Sequence, residues 1–104
     1  MNIEKFTERS RGFLQAAQTI AMRETHQRVM PEHLLKALMD DEEGLASNLI
    51  QKSGGDAKLV KAATEAAVAK IARVSGGGDQ LYMDTATARV LDEAEKIATK
   101  AGDS

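Results

Sequence analysis

Residues 6–26 and 83–103 carry one helical pattern twice, 77 positions apart. Leu14, Ala17, Ile20 and Ala21 recur as Leu91, Ala94, Ile97 and Ala98, while Phe6, Ser10, Phe13, Gln18 and Arg23 become Met83, Thr87, Val90, Glu95 and Lys100. The four identities fall on one face at helical spacing, and Thr7 and Asp84, both good N-caps, occupy the matching start positions. Cap and face together are more than two unrelated amphipathic helices need to share, so the chain is read as a tandem duplication. Two such units are expected to pack about a pseudo-twofold axis, their first helices side by side and antiparallel. Leu14, Ala17 and Ile20 would then meet Leu91, Ala94 and Ile97, and Thr7 would approach Asp103.

The remaining punctuation is that of an all-α domain. Gly and Pro are confined to joints, and there are almost no β-branched or aromatic runs to build strands. Five helices are placed. The first runs from cap Thr7 to about Glu24 with Phe13, Leu14, Ala17, Ile20 and Ala21 inward. The second opens with Pro31, whose fixed φ and missing donor suit a first helical position, and buries Leu34, Leu35 and Leu38. A third, from Leu45 to about Lys52, offers Leu45, Leu49 and Ile50 and is ended by Ser53-Gly54-Gly55. Asp56 caps the fourth, which turns Val60, Ala63, Ala67, Ile71 and Val74 to one side and whose alanines permit close approach of a neighbour. The joint Ser75-Gly76-Gly77-Gly78-Asp79 has linker composition. The fifth helix, Asp84 to about Lys100, repeats the first with Val90, Leu91, Ala94 and Ile97 inward. Residues 1–75 thus form a first repeat of about four helices, and residues 76–104 a glycine linker with the first helix of a second repeat, cut off just after it.

A chain of 104 residues holds one small domain and leaves no room for a large catalytic architecture. Fourteen basic side chains nearly balance sixteen acidic ones, and the net charge of -2 argues against nucleic acid or anionic membrane as the main partner. The absence of cysteine removes disulfide and thiol chemistry and fits a reducing cytosol. No apolar run approaches the ~20 residues that a membrane span needs, and Met1 to Phe6 does not resemble a signal peptide.

Motifs for chemistry fare poorly. His26 and His33 lack the i, i+4 spacing that lets two imidazoles share a metal from one helix face. Asp40-Asp41-Glu42-Glu43-Gly44 lacks the alternating ligands and closing Glu of a calcium loop and reads as a solvated turn. No Lys-Ser or Lys-Thr follows the glycine runs at phosphate-loop spacing, so the chain by itself is not expected to bind ATP. Neither histidine stands in a recognisable relation to Ser10, Ser47 or Ser53 for nucleophilic catalysis. Lys58, Lys61, Lys70 and Arg73 give the fourth helix a basic side, but Glu65 interrupts it and no aromatics accompany it for base stacking. Leu81, Tyr82 and Met83 are different. They are apolar residues at a linker exit that the core pattern of the fifth helix does not require, and they serve either to staple the helix start or to receive an apolar ligand.

Three stretches carry a resemblance: Phe6-Thr7-Glu8-Arg9, then Val29-Met30-Pro31-Glu32-His33-Leu34-Leu35-Lys36-Ala37-Leu38, then Gly44-Leu45-Ala46. They closely resemble the repeated N-terminal domain of the bacterial Clp family of AAA+ ATPases. Pro-Glu-His-Leu-Leu before the acidic turn is the most specific part. The glycine linker, the alanine-rich fourth helix and the segments 92–96 and 101–104 look most like the ClpB-type disaggregases, rather than ClpA or ClpC types. The family domain has two complete repeats and about eight helices, so the second Pro-Glu-His-Leu-Leu-like helix is expected beyond Ser104.

The resemblance implies a non-catalytic substrate-recognition domain of a cytoplasmic, stress-response chaperone, mobile at the entrance of a hexameric ATPase ring. Its partners would be unfolded or aggregated protein clients; ATP and magnesium are expected only in the parent's motor modules. In the family, a hydroxyl and an acid at the positions matching Thr7 and Asp103 are associated with client handling. Together with Leu81, Tyr82 and Met83 they form the candidate substrate-binding set. The alternative implied by ClpA-like and ClpC-like relatives is docking of a folded adaptor on a polar surface, through Arg9, Arg11, Lys58 or Glu65, with a stronger dependence on salt.

Overall fold

The computed structural model describes residues 8–73 and 81–100, apart from the side chains of Arg9 and Ala98. Thr7, the glycine joint and Asp103 lie outside the described residues, as does the expected approach of Thr7 to Asp103. Among the described residues there are five helices: α1 (Glu8–Arg23), α2 (Pro31–Met39), α3 (Leu45–Lys52), α4 (Ala57–Ala69) and α5 (Thr85–Lys100). Their ends follow the local chemistry. Asp56 caps α4 by accepting the Leu59 N–H at 3.2 Å, and Asp84 caps α5 by accepting the Ala86 N–H at 3.0 Å. Pro31 opens α2. At the end of α3, Gly54 takes φ 91° while the Gly54 and Gly55 N–H groups close onto the carbonyls of Gln51 and Ile50, satisfying two orphan acceptors.

The same closure ends α1 with an unusual residue. The Thr25 and His26 N–H groups bond to the carbonyls of Met22 and Ala21, which puts Thr25 at φ 57°. Glycine adopts that conformation freely, whereas a β-branched side chain is strained there. The cost holds His26 at a fixed place beneath the helix end.

The core lies between α1, α2 and α4. Leu14, Ala17, Ile20 and Ala21 of α1 are buried as the periodicity requires, with Phe13 half-buried against the cluster. The second helix is rotated from its expected setting: His33, Ala37 and Met39 are buried, Leu34 and Leu38 half-buried, and Leu35 is exposed. A polar His33 takes the inner place because both of its ring nitrogens find partners. In α4, Thr64 and Val68 are the buried residues, not Ala63, and Thr64 returns its hydroxyl hydrogen bond to the Val60 carbonyl at 2.7 Å. That helix stops at Ala69, short of Ile71, and Val74 lies outside the described residues. Leu45 and Leu49 of α3, expected inward, are 53% and 57% exposed.

Strands were not expected, yet Arg28–Val29 (β1) and Tyr82–Met83 (β2) pair in parallel, Arg28 opposite Tyr82 and Val29 opposite Met83. The Tyr82 N–H donates to the Gln27 carbonyl at 2.8 Å and the Asp84 N–H to the Val29 carbonyl at 3.2 Å. Buried Thr87 adds its hydroxyl to that carbonyl at 2.6 Å. These bonds moor α5. The expected pairing of α1 with α5 is not the main contact of either helix: among the described residues, both pack on α2. Among the described residues Val90 and Ile97 are 48% and 62% exposed and Ala94 is exposed, while Thr87 is the buried residue of α5.

Candidate functional site

The ribbon divides the three expected apolar residues by the alternation of an extended chain. Leu81 and Met83 are half-buried against the core cluster, and Tyr82 between them is 45% exposed. Leu81 and Met83 therefore pack against the core cluster, while Tyr82 presents an aromatic surface beside the start of α5. Further along α5, Val90 and Ile97 lie seven residues apart, two helical turns, and so share one outward side. Thr7 and Asp103 lie outside the described residues.

Behind the ribbon lies a feature that spacing did not reveal. His26 and His33 are both buried, and the Nδ1 of His26 lies 2.8 Å from the Nε2 of His33. The Nδ1 of His33 is bonded by the Met30 N–H at 2.8 Å, so that nitrogen is an acceptor and carries no proton. Its Nε2–H therefore donates to His26, and the tautomers of both rings follow. His33 occupies the position three residues into α2 where a capping box places Glu or Gln to reach back to the cap N–H. That position, just after a proline at the first helical place, is the signal from which the bond was legible. The partnership with His26 was not, since it depends on how α1 and α2 fold together. Burial, and to a lesser degree the neighbouring His26, lower the pKa of His33 below its usual 6.5, against weaker opposing pulls from Glu32 and Glu24. The pair is a structural clasp joining the end of α1 to the start of α2 and to β1.

A third feature is a groove of about 600 Å³ beside α1 and the end of α2. Phe13, Ala16, Ile20 and Ala37 supply its apolar lining, and Asp40, Asp41 and Glu42 one part of its rim. Gly12 also lines it. A glycine inside a helix costs roughly 0.5–1 kcal/mol relative to alanine, and here neither backbone angle nor crowding calls for one: an added Cβ would meet nothing within 4 Å. Among the described residues, no three His, Cys, Asp or Glu side chains gather as metal ligands, and no helix is long and apolar enough to cross a membrane. The surfaces described comprise exposed apolar side chains and a groove.

Residues 5–104 match the family described as the Clp repeat (R) N-terminal domain. The chain belongs to this family. Its curated relatives include proteins named chaperone protein ClpB from Rhodopseudomonas palustris, 56% identical over 105 residues, and from Agrobacterium fabrum, 54% identical over 104. One from Rickettsia conorii is 36% identical. Each match covers 100% of this chain and 12% of the relative, so the chain spans about an eighth of their length. A solved chain from preliminary structural investigations of a malarial protein secretion system superposes with a TM-score of 0.77 at 24% identity, covering 92% of this chain and 65% of that one. That likeness shows the fold alone. Within a Clp repeat domain, the Pro-Glu-His-Leu-Leu run gains a physical role, since its histidine closes the clasp and its proline opens the helix that both repeat-type helices pack upon.

Proposed function

We propose that this Clp repeat domain is the client-recognition module of a ClpB-like protein disaggregase, non-catalytic in itself. It binds apolar segments of unfolded or aggregated proteins and passes them to a hexameric AAA+ ring in the cytoplasm. ATP and magnesium belong to the motor modules of such a parent. The observation that carries this reading is the exposed apolar side of α5, Val90 and Ile97, together with Tyr82 at its start. Apolar contact at ~25 cal/mol per Å² is non-directional, so a small exposed patch accepts many sequences and releases them quickly. Thr7 and Asp103 belong to this reading as a polar rim.

The test is binding of a fluorescently labelled, chemically unfolded model protein. Tyr82→Ala, and separately Thr7→Ala with Asp103→Ala, should each weaken it several-fold while the melting temperature moves by no more than a few degrees. Unchanged affinity per folded molecule in both variants would remove these residues from the site. Binding that instead collapses with salt, and is lost on changing Arg11 or Lys58, would favour adaptor docking.

A further inference from the structure

We propose that the His26–His33 pair is an acid-operated latch: one added proton opens the pair and frees residues 26–30, and with them β2 and the start of α5, while α1, α2 and α4 stay packed. The latch acts whatever the exposed surfaces bind. Its hydrogen bonds all run one way, from the Met30 amide to Nδ1 of His33 and from Nε2 of His33 to Nδ1 of His26, at 2.8 Å each. Every nitrogen in that relay is already a donor or an acceptor. A proton added to either ring therefore sets two N–H groups face to face, and one bond breaks. Both rings are buried, at 4% and 0% exposure, so water replaces the lost partner only if the segment moves.

The mooring of α5 lies between these two bonds. The His26 ring holds one end of residues 26–30 and the Met30 amide holds the other. Between them the Gln27 carbonyl accepts the Tyr82 N–H, and the Val29 carbonyl accepts the Asp84 N–H and the Thr87 hydroxyl. Thr25, at φ 57°, adds strain that opening relieves. Helices α1 and α4 pack on α2 directly, without this segment between them. Burial and then His26 oppose a proton on His33, while Glu32 of α2 and Glu24 past the end of α1 favour one. Glu24 is shared with Arg73 at 2.9 Å. The next charges along the enclosing elements are Arg23 of α1, Arg28 of β1, Lys36 of α2 and Asp84 after β2, whereas α4 and α5 bury uncharged Thr64, Val68 and Thr87. In the opened segment the ring returns toward its usual 6.5, so opening takes up protons and is favoured as pH falls below that value.

The experiment is amide hydrogen exchange by NMR on the unaltered chain between pH 7 and pH 5, read as protection factors so that the intrinsic pH dependence of exchange divides out. Protection at the Tyr82 and Asp84 amides should fall by about ten-fold or more, while the Ala17 and Val68 amides of α1 and α4 change by less than about two-fold. The fall should track protonation of the imidazoles, followed by their nitrogen shifts in the same samples. Glu24→Gln with Glu32→Gln removes two charges that favour the proton, and should move both transitions together to lower pH. His26→Gln with His33→Gln removes both titrating rings, so ribbon protection should no longer change with pH in this range. If that variant does not fold, the variant of the two acids decides. Ribbon amides that stay protected to pH 5, a loss shared equally by Ala17 and Val68, or a loss out of step with ring protonation overturns the latch. So does a folded His26→Gln, His33→Gln variant whose ribbon opens with acid as before.

Discussion

α1 and α5 carry the same pattern and end in different surroundings. Leu14 and Ile20 of α1 are sealed in the core, whereas the matching Leu91 is half-buried and Ile97 is 62% exposed. The polar position inverts: Ser10 is exposed, and its counterpart Thr87 is wholly buried with its hydroxyl on the Val29 carbonyl. Periodicity defines which residues share a side of a helix, but the neighbour decides whether that side is core or surface. In α1 the apolar side meets α2. In α5 a strand ribbon and one threonine hold the start of the helix, and among the described residues much of its apolar side is exposed.

The contrast predicts unequal penalties. Ile20→Ala should cost about 3 kcal/mol in urea unfolding, since it opens a cavity in the core, and Ile97→Ala no more than about 0.5 kcal/mol. Equal costs would mean that α5 is as enclosed as α1. Next in size is Thr87→Val, which keeps the shape and removes the hydroxyl. It should cost about 1 kcal/mol and speed hydrogen exchange at the Tyr82 and Asp84 amides, if the ribbon and Thr87 moor the helix as one unit. At the end of α1, Thr25→Gly should relieve the strained φ and stabilise by about 1 kcal/mol, detectable as a rise in melting temperature.

The histidine clasp supplies a pH dependence of opposite sense to a salt bridge formed by a charged histidine. A base whose pKa is lowered by folding binds fewer protons in the folded state than in the unfolded one. Its contribution is complete above pH 6.5 and is lost as pH falls from there through the lower folded-state value. Melting temperature should therefore drop between pH 7 and pH 5. His33→Gln keeps a side chain able to accept the Met30 N–H and cannot titrate, so its curve should be flatter in that window. A curve as steep as that of the unaltered chain would assign the acid sensitivity to other groups.

Much of this architecture was legible because helix ends are local. Pro31, Asp56 and Asp84 mark their starts, Gly54 marks a stop, and the bounds of α3 fall on the residues that the pattern indicated. What escaped is non-local. A two-residue ribbon has no periodicity of its own, and its pairing joins segments 54 positions apart. The His26–His33 bond depends on the turn at Thr25, a position where glycine would have advertised the geometry and threonine conceals it. Of the candidate site, Leu81, Tyr82 and Met83 could be singled out as apolar residues at a joint, but only the ribbon's alternation separates outward Tyr82 from its two half-buried neighbours. The groove needed the relative setting of α1 and α2, which no single helix encodes.

In the proposed function, the exposed side of α5 is the contact surface. The direct measurement is the affinity of an unfolded model protein for the variant Val90→Ser with Ile97→Ser, taken beside its melting temperature. An affinity lower by about ten-fold is expected, with the melting temperature within a few degrees of the unaltered chain. An unchanged affinity in a folded variant, or a collapse of the fold with unchanged affinity per folded molecule, would contradict it.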